Sequence, residues 1–195
     1  MKYLVEKEEK FLLKTVNGCK GKRAERDFII LFLGFNSGLR CSEIIGLNVG
    51  DLRFKEKLYV RPEIAKGKKA RTIPLNKKLQ ASIKKLISLK LAWKEGIQDE
   101  DPLFISRKRN RLAKRSLENL FEFWCKKAEL TMKNEGREKA LYTVHSMRHS
   151  FAKKLLHRGI ALGVIQKLLG HSSLAATGIY VEAGIEEMEE AVNAL

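Results

Sequence analysis

The sequence predicts a mainly helical fold carrying a small three-stranded antiparallel sheet, and three observations predict it. Apolar residues recur at intervals of three and four through most of the chain, as one buried helix face requires. Between Asp51 and Leu75 that rhythm gives way to alternation, the period of a half-buried strand. The 195 residues suffice for one domain with a substantial core, or one domain with arms, and are too few for two full domains.

Residues 3 to 15, with Leu4, Phe11 and Leu12 spaced among Glu6, Glu8 and Glu9, suit a short amphipathic helix. NGCKGKR breaks it, and a strongly apolar helix follows from Glu25 to Asn36, stopping at Ser37 and Gly38. Ser42 and Glu43 open a short helix, SEIIGL. The segments DLRF, KLYVRPEI and ARTIPL read as the three strands, with AKGKKA as the turn between the last two. A long basic helix spans Asn76 to Trp93, and another surrounds LENLFEFWCKKAEL. TMKNEGREKA reads as a polar loop. Two amphipathic helices, broken at Gly159 and ended by Gly170, fill the stretch from His145 onward. Ser172 or Ser173 can cap a further short helix that carries Tyr180.

The charge narrows the partner. Lys plus Arg number 39 against 23 Asp plus Glu, a formal net charge of +16, which points to a polyanion and to nucleic acid first. A membrane surface competes, but no helix joins a strongly basic face to an aromatic-rich apolar one. The longest apolar run, FIILFLGF, is too short to span. MKYLVEKEEK is too charged for a targeting core, which places the chain in the cytosol. Cys19, Cys41 and Cys125 are odd in number and lack metal-ligand spacing, so they read as reduced, partly buried thiols.

The stretch VHSMRHSFAKKLLHRGIALGVIQKLLGHSSLAATGIY gathers the residues that carry chemistry. His145 and Arg148, three apart, share a helix face and could hold one anion. Transfer of a phosphodiester needs positive charge on the non-bridging oxygens, an in-line nucleophile and an acid for the leaving oxygen. Arg40 and Arg148 are planar bidentate donors for phosphate, and His145 and His171 add hydrogen bonds. Tyr180 would be the nucleophile, its phenol needing a base or a cationic pocket because its ordinary pKa is about 10. Lys66, on the hairpin turn, could protonate the 5′-oxygen; Lys68 and Lys69 are alternatives for that acid. A phosphotyrosine link would keep the energy of the broken bond, so resealing needs neither ATP nor metal. Taken singly, each residue also has a plainer explanation: a surface arginine for Arg40, a solvated turn for Lys66, a packed aromatic for Tyr180. Their joint order on a basic chain is what outweighs those explanations.

The motifs SGLRCSEI, AKGKKARTIPL, HSMRHSFA and LLGHSSLAATGIY resemble the four catalytic boxes of the tyrosine recombinase family, in the same order and with comparable spacing. The resemblance runs from about Lys10 to Tyr180 and implies that family's catalytic-domain fold. It implies that Arg40 is the first catalytic arginine, Lys66 the hairpin lysine and His145 with Arg148 the His-x-x-Arg box. His171 falls at the position held by histidine or tryptophan, and Tyr180 at the nucleophile. Glu43 matches an acidic residue that braces the first arginine, and His149 a supporting neighbour. The expected activity is cleavage and rejoining of double-stranded DNA through a 3′-phosphotyrosine and a free 5′-hydroxyl. Strand exchange would follow in a homotetramer, with a mobile-element integrase the leading role. A DNA-binding accessory without turnover, and a topoisomerase-like nicking and resealing enzyme, are the rival readings.

Further contacts to the phosphate backbone are expected from Lys68, Lys69 and Arg71 on the hairpin, and from the dense patch Arg107, Lys108, Arg109, Arg111, Lys114 and Arg115. The expected division is a catalytic domain over residues 1–182 and a helical tail over 183–195. In that tail Ile185, Met188, Val192 and Leu195 form an apolar stripe opposite Glu186, Glu187 and Glu190, fit to dock on a neighbouring subunit or on the chain itself. Most family members carry a separate helical domain that helps clamp DNA; it is not expected in this chain, which makes a clamping partner possible.

Overall fold

Helix α2, Lys22–Ser37, runs through the middle of the molecule because its sequence is apolar on nearly every side. Ile29, Ile30, Leu31, Leu33 and Phe35 are all within 1 % of complete burial. At 16 residues it is about 24 Å long, enough to carry the chain from one edge of the domain to the other. The structure, a computed structural model, describes residues 2–53, 56–134, 137–171 and 175–178. Tyr180, the serines at 172 and 173 and the predicted tail helix lie outside the described residues.

Helix α1, Glu6–Asn17, packs along α2, and the chain before it is extended. That start differs from the helix expected from residue 3. Leu4 is buried, but its backbone N–H donates to Ser150 Oγ at 2.8 Å, while Ser146 Oγ donates to the Lys2 carbonyl at 3.0 Å. Pairing with these hydroxyls replaces the first helical turn. After α2 the chain reverses at Gly38, whose φ of 63° lies in the left-handed region, and enters α3, Cys41–Gly46.

The small sheets differ from the three strands expected. The first three residues of DLRF do not form a strand, the fourth lying outside the described residues: Val49–Asp51 make a 3-10 turn and residues 52 and 53 a turn after it. Asp51 draws the chain into that turn by accepting the Asn48 backbone N–H at 2.9 Å and pairing with Arg61 at 3.0 Å, which wins over the weak alternation. KLYVRPEI and ARTIPL do pair, as β1, Lys57–Val60, and β2, Arg71–Pro74, antiparallel with Leu58 opposite Ile73. A second antiparallel hairpin stands where a polar loop was expected: β3, Thr131–Asn134, with β4, Arg137–Ala140. Met132 and Ala140 are the apolar residues of these two strands, too few for a period of two to show as a hydrophobic trace. Backbone pairing, which is blind to side chains, forms it nonetheless.

Helix α4, Lys77–Ala92, begins at Asn76, whose side chain accepts the Leu79 N–H at 2.8 Å. Helix α5, Lys114–Lys127, starts three residues before the LENL segment and so absorbs Lys114 and Arg115. Between α2 and α5 sits a fully buried carboxylate, Asp27, neutralised by Arg26 at 2.7 Å and hydrogen-bonded by the Trp124 indole at 2.8 Å. Helices α6, Val144–His157, and α7, Leu162–Leu169, follow with the predicted break at Gly159. Phe151, Ala152, Ile165 and Leu169 form a small core of their own that fixes α7 on α6. Helix α8, Ala175–Gly178, is one turn. Among the described residues no helix is long and apolar enough to cross a membrane. The three cysteines are free thiols, and burial pushes Cys125 up to about 12.

Candidate active site

Four pieces of chain meet at one place: the α2–α3 junction, the start of β2, the first turns of α6 and the end of α7. The centre is the C-terminal end of α7, where the last carbonyls of the helix lack partners of their own and carry the negative end of its dipole. Three arginines fill that need. Arg148 Nη2 donates to the Leu169 carbonyl at 2.7 Å, Arg71 Nε to the Leu168 carbonyl at 2.9 Å, and Arg40 Nη1 reaches Leu169 at 3.5 Å. Arg148 also donates Nη1 to the Gly38 carbonyl at 2.7 Å, which ties the reversal after α2 to the end of α7.

Glu43 is the counter-charge. Its side chain is fully buried and accepts the Arg40 backbone N–H at 2.7 Å, closing the first turn of α3. The same carboxylate pairs with Arg40 Nη1 at 3.3 Å and receives both Nη1 and Nη2 of Arg71 at 2.7 Å. Burial alone would raise its pKa. The hydrogen bonds from Arg71 and from the Arg40 backbone, with the charges of Arg71 and Arg148, outweigh burial and hold it below the ordinary carboxylate value. Glu43 is therefore ionised, and the expectation that it braces Arg40 matches this geometry.

His171 follows Gly170, whose φ of 66° ends α7, and its Nδ1 lies 2.9 Å from Thr177 Oγ1. Burial, then the charges of Arg148, Arg40 and Arg71, lower its pKa to about 4. His149 is likewise lowered to about 4, by burial first and then by His145 and Arg148. Both imidazoles are neutral at pH 7, so each brings hydrogen-bonding capacity rather than charge. The cationic charge at the centre belongs to the arginines.

The remaining expected residues fall into two groups. Lys66, Lys68 and Lys69 are exposed on the loop between β1 and β2, where Gly67 and Lys68 take positive φ. His145 is exposed at the start of α6, while Arg148, three residues on, is buried. The structure thus gathers Arg40, Glu43, Arg148, His149 and His171, while Lys66 and His145 are exposed and Tyr180 lies outside the described residues. Arg107, Lys108 and Arg109 are exposed on a tight turn held by Ser106 N–H to the Asn110 carbonyl at 2.8 Å, and Lys114 and Arg115 on the first turn of α5. With Arg23, Arg26 and Arg111, Arg107 and Lys108 line a basic cleft of about 530 Å³.

Two expected phosphate contacts are placed otherwise. Arg71 is buried against Glu43, with only 8 % of its side chain exposed. Arg111 donates to the Ile45 and Leu47 carbonyls at 3.1 and 3.0 Å and to Asn48 Oδ1 at 2.7 Å, stitching its own segment to the end of α3. The signal for Arg71 was in the alternation: the period that turns Ile73 inward turns Arg71, two residues earlier, the same way. For the carbonyls of Gly38, Leu168 and Leu169 the sequence holds no signal, because a backbone acceptor belongs to every residue, and the Thr177 hydroxyl is marked by no motif of its own.

A domain of this fold, with paired arginines and neutral histidines around one helix terminus, defines a class of protein. The model of the phage integrase family matches residues 2–187, and the chain belongs to that family. It is 37% identical over 193 residues to the tyrosine recombinase XerC of Caldanaerobacter subterraneus subsp. tengcongensis, covering 98% of this chain and 50% of that protein. To the tyrosine recombinase XerA of Pyrococcus horikoshii it is 33% identical over 193 residues, covering 98% of this chain and 60% of that one. The crystal structure of XerA recombinase superposes with a TM-score of 0.77 at 26% identity, across 100% of this chain and 65% of that one. The chain spans about half the length of the curated relatives it matches.

Proposed function

We propose that this chain is the catalytic domain of a site-specific DNA recombinase that cleaves and rejoins strands through Tyr180. The observation that carries the reading is the meeting of Arg40 and Arg148 at the Leu169 carbonyl, with His171 two residues beyond it. Two guanidiniums held on one side of a point, backed by an ionised Glu43, suit the equatorial oxygens of a phosphodiester passing through a five-coordinate state. The names borne by the relatives, tyrosine recombinases XerC and XerA, agree with it.

In this reading the Tyr180 phenol gives its proton to water as its oxygen attacks the phosphorus and forms the new ester. The bond from phosphorus to the 5′-oxygen breaks, and Lys66 delivers its proton to that oxygen. The 5′-hydroxyl of a partner strand reverses the step, returning its proton to Lys66 and releasing the tyrosine, which takes its own proton back from water. Arg40 and Arg148 offset the charge that gathers on the non-bridging oxygens, and His145 and the neutral His171 donate hydrogen bonds. Double-stranded DNA is the substrate, and exchange requires several copies of the chain on it. The segment 183–195, with its one-sided apolar stripe, is proposed to dock on a neighbouring copy.

The test is a nicked suicide substrate, drawn from a pooled library, whose 5′-hydroxyl fragment diffuses away after cleavage. Covalent attachment of the wild type, absent in Tyr180→Phe, is the expected result. Binding of the pool by the wild type without attachment, at low salt, would sink the reading.

A further inference from the structure

Arg71 lies in the same cluster but is turned away from the role its charge suggests. Its Nη1 and Nη2 meet the two oxygens of Glu43 at 2.7 Å each, and its Nε meets the Leu168 carbonyl at 2.9 Å. Only 8 % of its side chain is exposed and none of its partner's is. A guanidinium in that position is committed: turning out to a phosphate would break two charge-assisted bonds and leave a buried carboxylate without its main counter-charge. Its backbone stands at the first position of β2, opposite Val60, five residues after Lys66. One side chain thus links the strand that follows the lysine loop, the carboxylate that holds Arg40, and the end of α7 that leads into His171.

Gly170 completes the argument. A Cβ at that position would lie 2.9 Å from Arg71 Cδ and 3.1 Å from Nη1, so the arginine stem passes directly over the residue before His171. Only a residue without a side chain admits the stem there, and φ of 66° independently favours glycine. Lysine could not replace the arginine, because one ammonium cannot span both carboxylate oxygens and reach the Leu168 carbonyl as well.

We infer that Arg71 is a positioning residue of the proposed strand transfer, fixing Glu43 and the C-terminal carbonyls of α7 in one register so that Arg40, Arg148 and His171 face the same phosphate. This rests on the recombinase reading. Arg71 touches no reacting atom; it acts through Glu43 and through α7.

The test compares Arg71→Lys, Arg71→Gln, Glu43→Gln and the Arg71→Gln/Glu43→Gln pair with wild type in the full chain. At saturating DNA, Arg71→Lys should attach about 10–100-fold more slowly, the loss expected of a misplaced site. The salt dependence of its DNA binding should stay that of the wild type. The paired variant should be slowed by less than the product of the two single effects, since the two changes share one interaction. Hydrogen exchange in the free protein should speed at least tenfold at the Gly170 and His171 amides, which both donate to Gln166, while α4 keeps its protection. The inference is overturned if Arg71→Gln lowers the slope of log affinity against log salt by about 0.9, the mark of a lost phosphate contact. It also fails if the paired effects simply multiply, or if exchange at Gly170 and His171 is unchanged. A wild type that never attaches counts against the recombinase reading alone, because the exchange experiment still decides the role of Arg71 without DNA.

Discussion

At the residue scale, the histidines separate this site from a simple cationic patch. His171 is held neutral by burial and by Arg148, Arg40 and Arg71, with its folded pKa near 4 against an ordinary value of 6.5. An unfolded chain therefore binds a proton at His171 where the folded one does not. Stability is fully present above about pH 6.5 and is lost as the pH falls towards about 4, below which the contribution is flat. His149 acts in the same sense. Urea unfolding of His171→Asn between pH 7 and pH 4 should show a shallower loss than the wild type, and a parallel pair of curves would refute the assignment. Arg148 makes the complementary point: a charge buried to 5 % exposure persists because it satisfies the carbonyls of Gly38 and Leu169, each at 2.7 Å.

At the element scale, the site depends on how two helices end. Gly38 closes α2 at a φ of 63°, and a Cβ there would lie 2.5 Å from Phe151 Cδ1 and 2.9 Å from Leu169 Cδ2. Its carbonyl is also the one that Arg148 Nη1 binds. Gly38→Ala should cost about 1–3 kcal/mol from backbone strain and crowding together, measured by chemical unfolding. It should also slow attachment, since the α2–α3 junction that carries Arg40 moves with it. An unchanged midpoint would mean that α6 and α7 yield more easily than their packing around Phe151 and Leu169 implies. The extended segment before α1 works on the opposite face of α6. By pairing with Ser146 and Ser150 it fixes the helix that carries His145 and Arg148, so α6 is held from both sides.

At the scale of the whole molecule, the basic residues behind the net charge of +16 include some bound within the fold and some turned to solvent. Arg26, Arg71, Lys90, Arg111 and Lys154 bind carboxylates or carbonyls within the fold. Lys66, Lys68, Lys69, Arg107, Lys108 and Arg109 face outward. The second group is the one proposed to meet a DNA backbone. Arg107→Ala and Lys108→Ala should each reduce the slope of log affinity against log salt by about 0.9, with the attachment rate at saturating DNA left as in the wild type. A change in that rate without a change in slope would place the turn in the chemistry instead.

The sequence by itself determined the helical class, the breaks at Gly38, Gly159 and Gly170, the pairing of KLYV with RTIP, and the ordered boxes that name the family's site residues. These are local matters: a period, a glycine that must take positive φ, a residue type at a fixed spacing. The β3–β4 hairpin was hidden because its pairing lies in the backbone and its residues show no apolar–polar alternation. DLRF misled because four alternating residues weigh less than one Asp51 bound to the chain before it. Only the tertiary structure decided that Arg71 and Arg111 serve the fold while Arg107 and Lys108 face solvent, and that α7 ends among three arginines. A guanidinium is the same group in either role, and what assigns it is the carboxylate or carbonyl that folding brings within 3 Å from a distant part of the chain.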